Sequence, residues 1–368
     1  MLVTRPTLFL NSSIARANIA SMKHKADALG LKLRPHFKTH QSLEIGALFK
    51  TYGCDRIAVS SLGMASYFSE EWSDITVAFP ANIQEIDLIN TLSQKIKLNL
   101  TVYNLDTLHF LEQHLDHQVH VYLKINIGNN RAGYPIDADA EILEFCRLAR
   151  SCKHLHLEGV LMHAGHSYKC RGKESILEVH QACMSRISML KQLLKEEFPS
   201  LIFSYGDTPT NSVADSFPGV DELRPGNFVF YDLTQAAIGS CTENDIAVAL
   251  ACPVVGKQPD GQTIILYGGG VHLSKDVLLR RDGVRTYGRP VFLRDSDWSL
   301  MSSECYLSGI SQEHGVLKVS SAEFDEIKIG DCIGILPVHS CMTADLMKEY
   351  TDLEHMNKIK MYQMKNPC

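Results

Sequence analysis

The sequence predicts an α/β protein, a (β/α)8 barrel of the TIM type followed by a smaller, mainly antiparallel β domain. Three observations lead there. Between residues 30 and 225 short apolar runs alternate with helix-period segments, the pattern of βαβ units on a parallel sheet. Eight such units in roughly 200 residues suit a closed barrel near the lower end of its usual size. From about residue 245 the helical pattern stops, and apolar runs are parted by turn signals such as Asp260-Gly261 and Gly330-Asp331. A doubly wound open sheet shares the alternation, and periodicity alone does not separate the two.

Eight strand candidates follow in order: Leu31–Phe37, Arg56–Ser60, Ile75–Phe79, Leu98–Val102, His120–Asn126, Leu157–His163, Ile202–Gly206 and Glu222–Arg224. The stretches between them are amphipathic. Ile176, Val179, Cys183, Ile187, Leu190 and Leu194 recur at spacings of three and four, one face of a helix. Ile19, Met22, Ala26 and Leu29 do the same ahead of the first strand. In the β domain the strand runs are Ala247–Val255, Thr263–Tyr267, Val316–Ser320 and Cys332–Leu336. The sequence thus divides into a barrel over 8–240, a β domain over 241–345 that residues 1–7 can join, and a tail over 346–368. The polar, Met-rich segment from Ala344 reads as a helix with a frayed end.

Composition narrows the function. Lys+Arg 36 against Asp+Glu 42 gives a net charge of −6, without the basic field a nucleic-acid binder carries. The longest apolar run, Ile246 to Val255, is broken by Pro253 and is too short to span a bilayer. No signal peptide is legible at the N-terminus. Eleven cysteines lie scattered without paired spacing, the usage of reduced thiols in a cytoplasmic protein. A small metabolite is the expected partner, with neither nucleic acid nor membrane.

Candidate chemistry gathers at the expected C-terminal strand ends, where barrels place reactive groups. Arg34-Pro35-His36-Phe37-Lys38-Thr39-His40 closes the first strand. Alternation puts His36, Lys38 and His40 on one face. A recessed lysine between imidazoles has a lowered pKa and can form a Schiff base; the ordinary alternative is a solvated loop lysine. Asn126-Ile127-Gly128-Asn129-Asn130-Arg131-Ala132-Gly133 makes a tight loop whose Arg131 can face an anionic oxygen, or is a plain glycine turn. His163, His166 and Tyr168 close the sixth strand and suit an aromatic ring, a phosphate or a metal, or form a polar loop. Gly206, Thr208 and Thr210 suit a phosphate, the usual anion near strands seven and eight, with a helix cap as the alternative for either threonine. His339 and Cys341, two apart, can reach one zinc ion and leave positions open for substrate; an isolated H-x-C is otherwise a buried thiol beside a surface histidine.

Assembled, these motifs resemble the D-serine dehydratase and D-threonine aldolase group of fold-type III pyridoxal-phosphate (PLP) enzymes, which share a barrel with alanine racemase. The resemblance runs nearly end to end and in order. It implies Lys38 as the Schiff-base lysine and Arg131 near the cofactor's phenolic oxygen. His163 then lies against the pyridine ring, with Tyr168 in the accompanying H-S-Y segment. Gly206, Thr208 and Thr210, with Tyr231 in the stretch Glu222 to Asp232, fall on the phosphate side, and His339 and Cys341 form a metal pair. That pair is absent from alanine racemases, and the β domain is absent from short barrel-only cofactor carriers. H-x-C is similar to the dehydratase pattern, whereas aldolases tend towards H-x-D. Gln41 and Tyr267-Gly268-Gly269-Gly270 depart from the group's pattern.

The resemblance implies a PLP- and Zn2+-dependent lyase, with Mn2+ or Mg2+ as other metals, acting as a homodimer on a small D-amino acid. D-Serine dehydration to pyruvate and ammonia is the expected reaction. Retro-aldol cleavage of D-threonine, racemisation, and a binding or delivery protein without turnover are the alternatives.

Overall fold

All eight strands expected between residues 30 and 225 form. In the computed structural model, which describes residues 3–280 and 282–363, the chain opens with β1 (Thr7–Leu10) and α1 (Ser12–Ala28). The barrel strands are β2 (Lys32–Leu33), β3 (Ile57–Val59), β4 (Asp74–Pro80), β5 (Lys97–Val102) and β6 (Val119–Asn126). A two-residue β7 (Tyr134–Pro135) pairs with β6, followed by β8 (Leu155–His163), β9 (Ile202–Gly206) and β10 (Glu222–Leu223). Their order is β2-β10-β9-β8-β6-β5-β4-β3. The two ends meet through a parallel bridge between His36 and Ala58, with Phe37 N donating to Ala58 O at 2.8 Å. An open doubly wound sheet would leave those ends apart.

Between the strands run α2 (Leu43–Thr51), α3 (Leu62–Phe68), α4 (Ile86–Ser93), α5 (Leu105–His114), α6 (Asp139–Ser151), α7 (Lys173–Leu194) and α8 (Thr208–Val213). Ser42, Ser61 and Asn104 start α2, α3 and α5 by accepting a backbone N–H, the ordinary device of short polar residues at helix N-termini. On α7 the expected stripe is buried at Ile176, Cys183, Ile187, Leu190 and Leu194.

Alternation on β6 sends Val119, Val121, Leu123 and Ile125, all fully buried, to one face and His120, Tyr122 and Lys124 to the other. The second set shares the barrel interior with polar groups from other strands. Arg34, fully buried, holds Glu222 at 2.8 Å through Nε and Asp74 at 2.7 Å through Nη1. Burial, then the Glu222 charge, pushes the Tyr122 hydroxyl up from its usual range. The barrel is filled, and its filling is charged.

By contacts, Ala20–Gly226 is one unit, and residues 3–19 with Asn227–Gln363 the other. The sequence reading divides the chain at 240. The second unit carries β11 (Val248–Gln258), β12 (Thr263–Tyr267), the short pair β13 (Leu278–Leu279) and β14 (Arg285–Thr286), β15 (Gly288–Leu293), β16 (Trp298–Leu300), β17 (Tyr306–Ile310), β18 (His314–Lys318), β19 (Cys332–Pro337), β20 (Glu349–Asp352) and β21 (Lys358–Lys360). Short helices α9 (Leu233–Ile238), α10 (Gly270–Leu273), α11 (Ser321–Glu326) and α12 (Ser340–Met347) lie along the same stretch. The main sheet runs β16-β15-β19-β11-β1-β20-β21, antiparallel except for β1 on β20. The tail differs from expectation. The helix stops at Met347, Lys348 turns at φ 59°, and Glu349–Asp352 becomes a strand with Tyr350 and Thr351 buried. Polarity there disguises a strand whose partners lie far away in sequence. Residues 364–368 of the expected tail lie outside the described residues.

Candidate active site

The first cluster sits at the C-terminal ends of the barrel strands. After β2 the chain extends only as far as the His36 bridge and then turns over residues 37–40. The Lys38 backbone N–H donates to His36 Nδ1 at 3.3 Å. Charges of Lys38, Arg131 and Arg224 all bear on His36 and on His163, so five side chains from four strand ends share one region. Burial comes first in holding both imidazoles well below their usual pKa, and both are neutral at pH 7. His163 Nδ1 lies 2.7 Å from the Gly206 carbonyl and donates to it, which leaves Nε2 as the acceptor.

Lys124, on the inner face of β6, joins this group and is buried. Burial, then Arg224 and Arg131, hold its ammonium well below the usual range. Among the described residues the side chains of Lys38, Lys124 and Arg131 make no ion pair with a carboxylate. A pocket with this many basic groups and so few counter-charges is built for a polyanion. Two glycines here pack too closely against their neighbours to carry a side chain. A Cβ on Gly206 would stand 2.7 Å from the Arg224 carbonyl, and one on Gly165 would meet His163 Nε2 at 2.8 Å.

The seventh strand end is organised by Asp207. It caps α8 by accepting from Thr210 N at 2.8 Å, and it also accepts from the Thr210 hydroxyl at 2.5 Å and from Ser167 at 2.8 Å. The cap is therefore Asp207 rather than either threonine. Thr208 N donates to the Tyr168 hydroxyl at 3.4 Å, which ties the H-S-Y segment to this turn. Burial raises the Asp207 carboxyl to about 6, against the hydrogen bonds from Thr210 and Ser167. Because the folded value lies above the unfolded one, this group's contribution to stability is present below about pH 4 and lost as pH rises through about 6. Asp207→Asn removes that slope. Denaturant titrations should show the variant gaining about 2 kcal/mol on the wild type between pH 4 and 7. A flat difference would mean that Asp207 does not titrate in that window.

The second cluster belongs to the other unit. Val338 is buried, and His339 opens α12 as its N-cap residue. His339 and Cys341 are hydrogen-bonded to each other, so the imidazole and the thiol converge, although Cys341 lies in the first turn of α12 and not on the extended segment that the H-x-C spacing assumed. His339 Nδ1 also lies 3.3 Å from Asp276 Oδ2. Burial works against the charged imidazole, but Cys341, Asp232 and Asp276 outweigh it and push His339 up to about 9. Asn227 braces this end, donating to Asp232 at 2.8 Å, Ser340 at 2.9 Å and Cys341 Sγ at 3.5 Å. One imidazole, one thiol and a nearby carboxylate are a donor set of the zinc class.

Two expectations change. His40 does not share a face with Lys38, because the chain turns after His36; its ring packs edge-on against Phe37 at 4.3 Å and stacks on Phe49 at 5.6 Å. Burial takes it to about 3. His166 points towards α7, with Nε2 3.8 Å from Cys183 Sγ, and lines a separate cavity of about 500 Å3 with Glu178 and Arg186. Tyr231 falls in the second unit at φ 48°, against Leu233, Ile246 and Val338. The sequence reading missed Lys124, Arg224 and Asp207. Lys124 leaves one legible trace, a charge at every-second spacing from His120 and Tyr122 within an apolar strand.

The sequence profile of the alanine racemase N-terminal domain matches residues 10–233, and that of the putative serine dehydratase domain matches 247–352. A D-serine dehydratase of Dictyostelium discoideum is 28% identical, over 96% of this chain and 94% of its own. The D-threo-3-hydroxyaspartate dehydratase of Delftia sp. (strain HT23) is 28% identical over 97% and 96%. A D-threonine aldolase of Arthrobacter sp. is 25% identical over 62% of each chain. The solved structure of the Delftia enzyme superposes with a TM-score of 0.90, covering 99% of both chains at 26% identity. A cysteine-to-alanine mutant of that enzyme is described in a metal-free form.

Proposed function

Because the chain belongs to the alanine racemase N-terminal domain family over its barrel and carries the putative serine dehydratase domain after it, we propose that it is a PLP- and zinc-dependent lyase converting D-serine to pyruvate and ammonia. One observation carries the choice of elimination over retro-aldol cleavage. The likeness to the two dehydratases spans 96% and 97% of the chain, whereas that to the aldolase spans 62%. The proposal includes a homodimer, as the resemblance implies, and a cytoplasmic setting, as the scattered unpaired cysteines suggest. No helix among the described residues is long and apolar enough to cross a membrane.

The residues fit both groups. The basic side chains of Lys38, Lys124 and Arg131, without carboxylate partners among the described residues, suit a phosphorylated aromatic aldehyde together with an amino-acid carboxylate. His339 with Cys341 offers the metal donors. When bound, PLP supplies an electron sink for charge developing at Cα, and a divalent cation supplies Lewis acidity to a departing β-hydroxyl. Zn2+ suits imidazole plus thiolate better than Mn2+ or Mg2+ does.

Lys38 holds the cofactor and, once exchanged for the substrate amine, takes the Cα proton on Nζ. His163, neutral and fixed by its bond to Gly206, would be the imidazole that the cofactor's ring lies against. Arg131 places its guanidinium beside an anionic oxygen. Gly206, Thr208 and Thr210 present the phosphate turn, with the Thr210 hydroxyl already engaged by Asp207. Tyr231 completes the phosphate side in this reading. Loss of the β-hydroxyl and hydrolysis of the resulting enamine leave pyruvate and ammonia, with no net consumption of water.

The test is product analysis on purified protein with PLP and Zn2+, given D-serine, D-threo-3-hydroxyaspartate and D-threonine in turn. Chelator-sensitive 2-oxo acid and ammonia in equal amounts are expected from D-serine. Glycine and aldehyde from D-threonine would replace dehydratase by aldolase. Cofactor binding without turnover of any of the three would leave a binding protein.

A further inference from the structure

At the opposite end of the barrel, away from the groups just described, three ligand-type side chains converge. His120 is the second residue of β6, and His156 and Glu158 lie in the first half of β8. The strands are parallel neighbours with His120 directly opposite His156. Glu158 follows two residues on, on the same face. Its Oε2 is 2.7 Å from His120 Nδ1 and 3.7 Å from His156 Nε2, and all three donor atoms lie within 4.8 Å of one another. We infer that His120, His156 and Glu158 form a second binding site, for a divalent transition metal of the zinc class, at the N-terminal end of the barrel.

The spacing suits such an ion. Ligands at about 2.0–2.1 Å from a tetrahedral zinc stand roughly 3.3 Å apart, and the two measured separations bracket that figure. His156 Nε2 is directed at the carboxylate from beyond hydrogen-bonding range, a gap that an ion closes. Lys97 Nζ binds the other carboxylate oxygen at 2.5 Å, which turns Oε2 towards the two rings and fixes a monodentate ligand. Glu158 is buried, His120 is 23% exposed and His156 54%. The site is therefore anchored inside and open on the side of His156. Two imidazoles and one carboxylate select zinc, cobalt or nickel over calcium or magnesium. The Lys97 ammonium further disfavours hard cations, which rely on several carboxylates.

This site is independent of the metal pair in the proposed function, and Co2+ distinguishes them. A Cys341 site gives a thiolate-to-cobalt charge-transfer band, whereas a His/His/Glu site gives ligand-field bands alone. Titration of the purified full-length protein should show an equivalent of Co2+ with ligand-field bands alone. His156→Asn and Glu158→Gln should each weaken that equivalent by roughly 100-fold, leaving 2-oxo acid production and the charge-transfer equivalent unchanged. Because His156 is largely exposed, His156→Asn should melt with the wild type, which separates ligand loss from unfolding. If the charge-transfer band never appears but the other equivalent does and vanishes in His156→Asn, this inference stands and the catalytic metal pair fails. It is overturned if no equivalent lacking the charge-transfer band binds, or if one persists undiminished in His156→Asn.

Discussion

Lys38→Ala should reduce 2-oxo acid production from D-serine by roughly 1,000-fold or more while leaving the fold intact. In the proposed reaction the Lys38 amine does two things, attaching the cofactor and taking the Cα proton, and loss of a positioned base alone costs about 100- to 10,000-fold. Little nearby can stand in. Lys124 is buried on β6, a different strand from the turn that carries Lys38, and His36 and His163 are held neutral by burial, where gaining a proton is costly. Among the described residues the Lys38 side chain makes no hydrogen bond or ion pair, so removing it should not loosen the barrel. Borohydride reduction of the PLP-loaded protein, followed by peptide mass analysis, should place the pyridoxyl group on Lys38 in the wild type and nowhere in Lys38→Ala. Near-wild-type turnover, or a label elsewhere, would sink the assignment.

Arg34→Met should cost about 3–5 kcal/mol of stability, the usual penalty for stranding a buried charge. Arg34 is fully buried and is the hub of the barrel's polar interior, holding Glu222 at 2.8 Å and Asp74 at 2.7 Å. Glu222 is just as inaccessible to water, and also accepts from Ser204 at 2.8 Å. Without the guanidinium its carboxylate has no buried cation directly bonded to it. The double variant Arg34→Met with Glu222→Gln should recover part of the loss, because the stranded charge is then gone. Urea unfolding of the two variants and the wild type measures both. A single-variant loss below about 1 kcal/mol would show that water reaches this layer.

The barrel and the β sheet were legible because their signals are local. Short runs rich in apolar and aromatic residues, parted by turn residues, mark strands such as β6 and β9 whatever lies beside them. What escaped depended on partners distant in sequence. The strand at Glu349–Asp352 is polar enough to read as a surface helix until β1 lies along it. The turn after His36 takes His40 into an aromatic nest, and nothing in alternation announces that the strand ends early. In the proposed site, Lys38, Arg131 and His163 stand out in the sequence as unusual residues at strand ends, and His339 with Cys341 by their two-apart spacing, although Cys341 begins a helix. Lys124 and Arg224 were not, because a charged residue inside an apolar run gives no hint of whether it meets a carboxylate, water or another cation. His120, His156 and Glu158 escaped for a related reason, since only the pairing register of β6 with β8 brings them together.

β1 has a consequence for how the chain is made. It lies between β11 on one side, antiparallel, and β20 on the other, parallel. Both partners leave the ribosome only after the whole barrel has been synthesised. The barrel's own strands pair with neighbours made shortly before or after, apart from the closure of β2 on β10, so most of it can fold while translation continues. β1 meanwhile has two open edges and a fully apolar run, Leu8-Phe9-Leu10, that the finished sheet will bury. During that interval it is the segment most exposed to mispairing with another nascent chain. A chaperone or a slowed ribosome acting on this protein would have its effect there, before any of the chemistry exists.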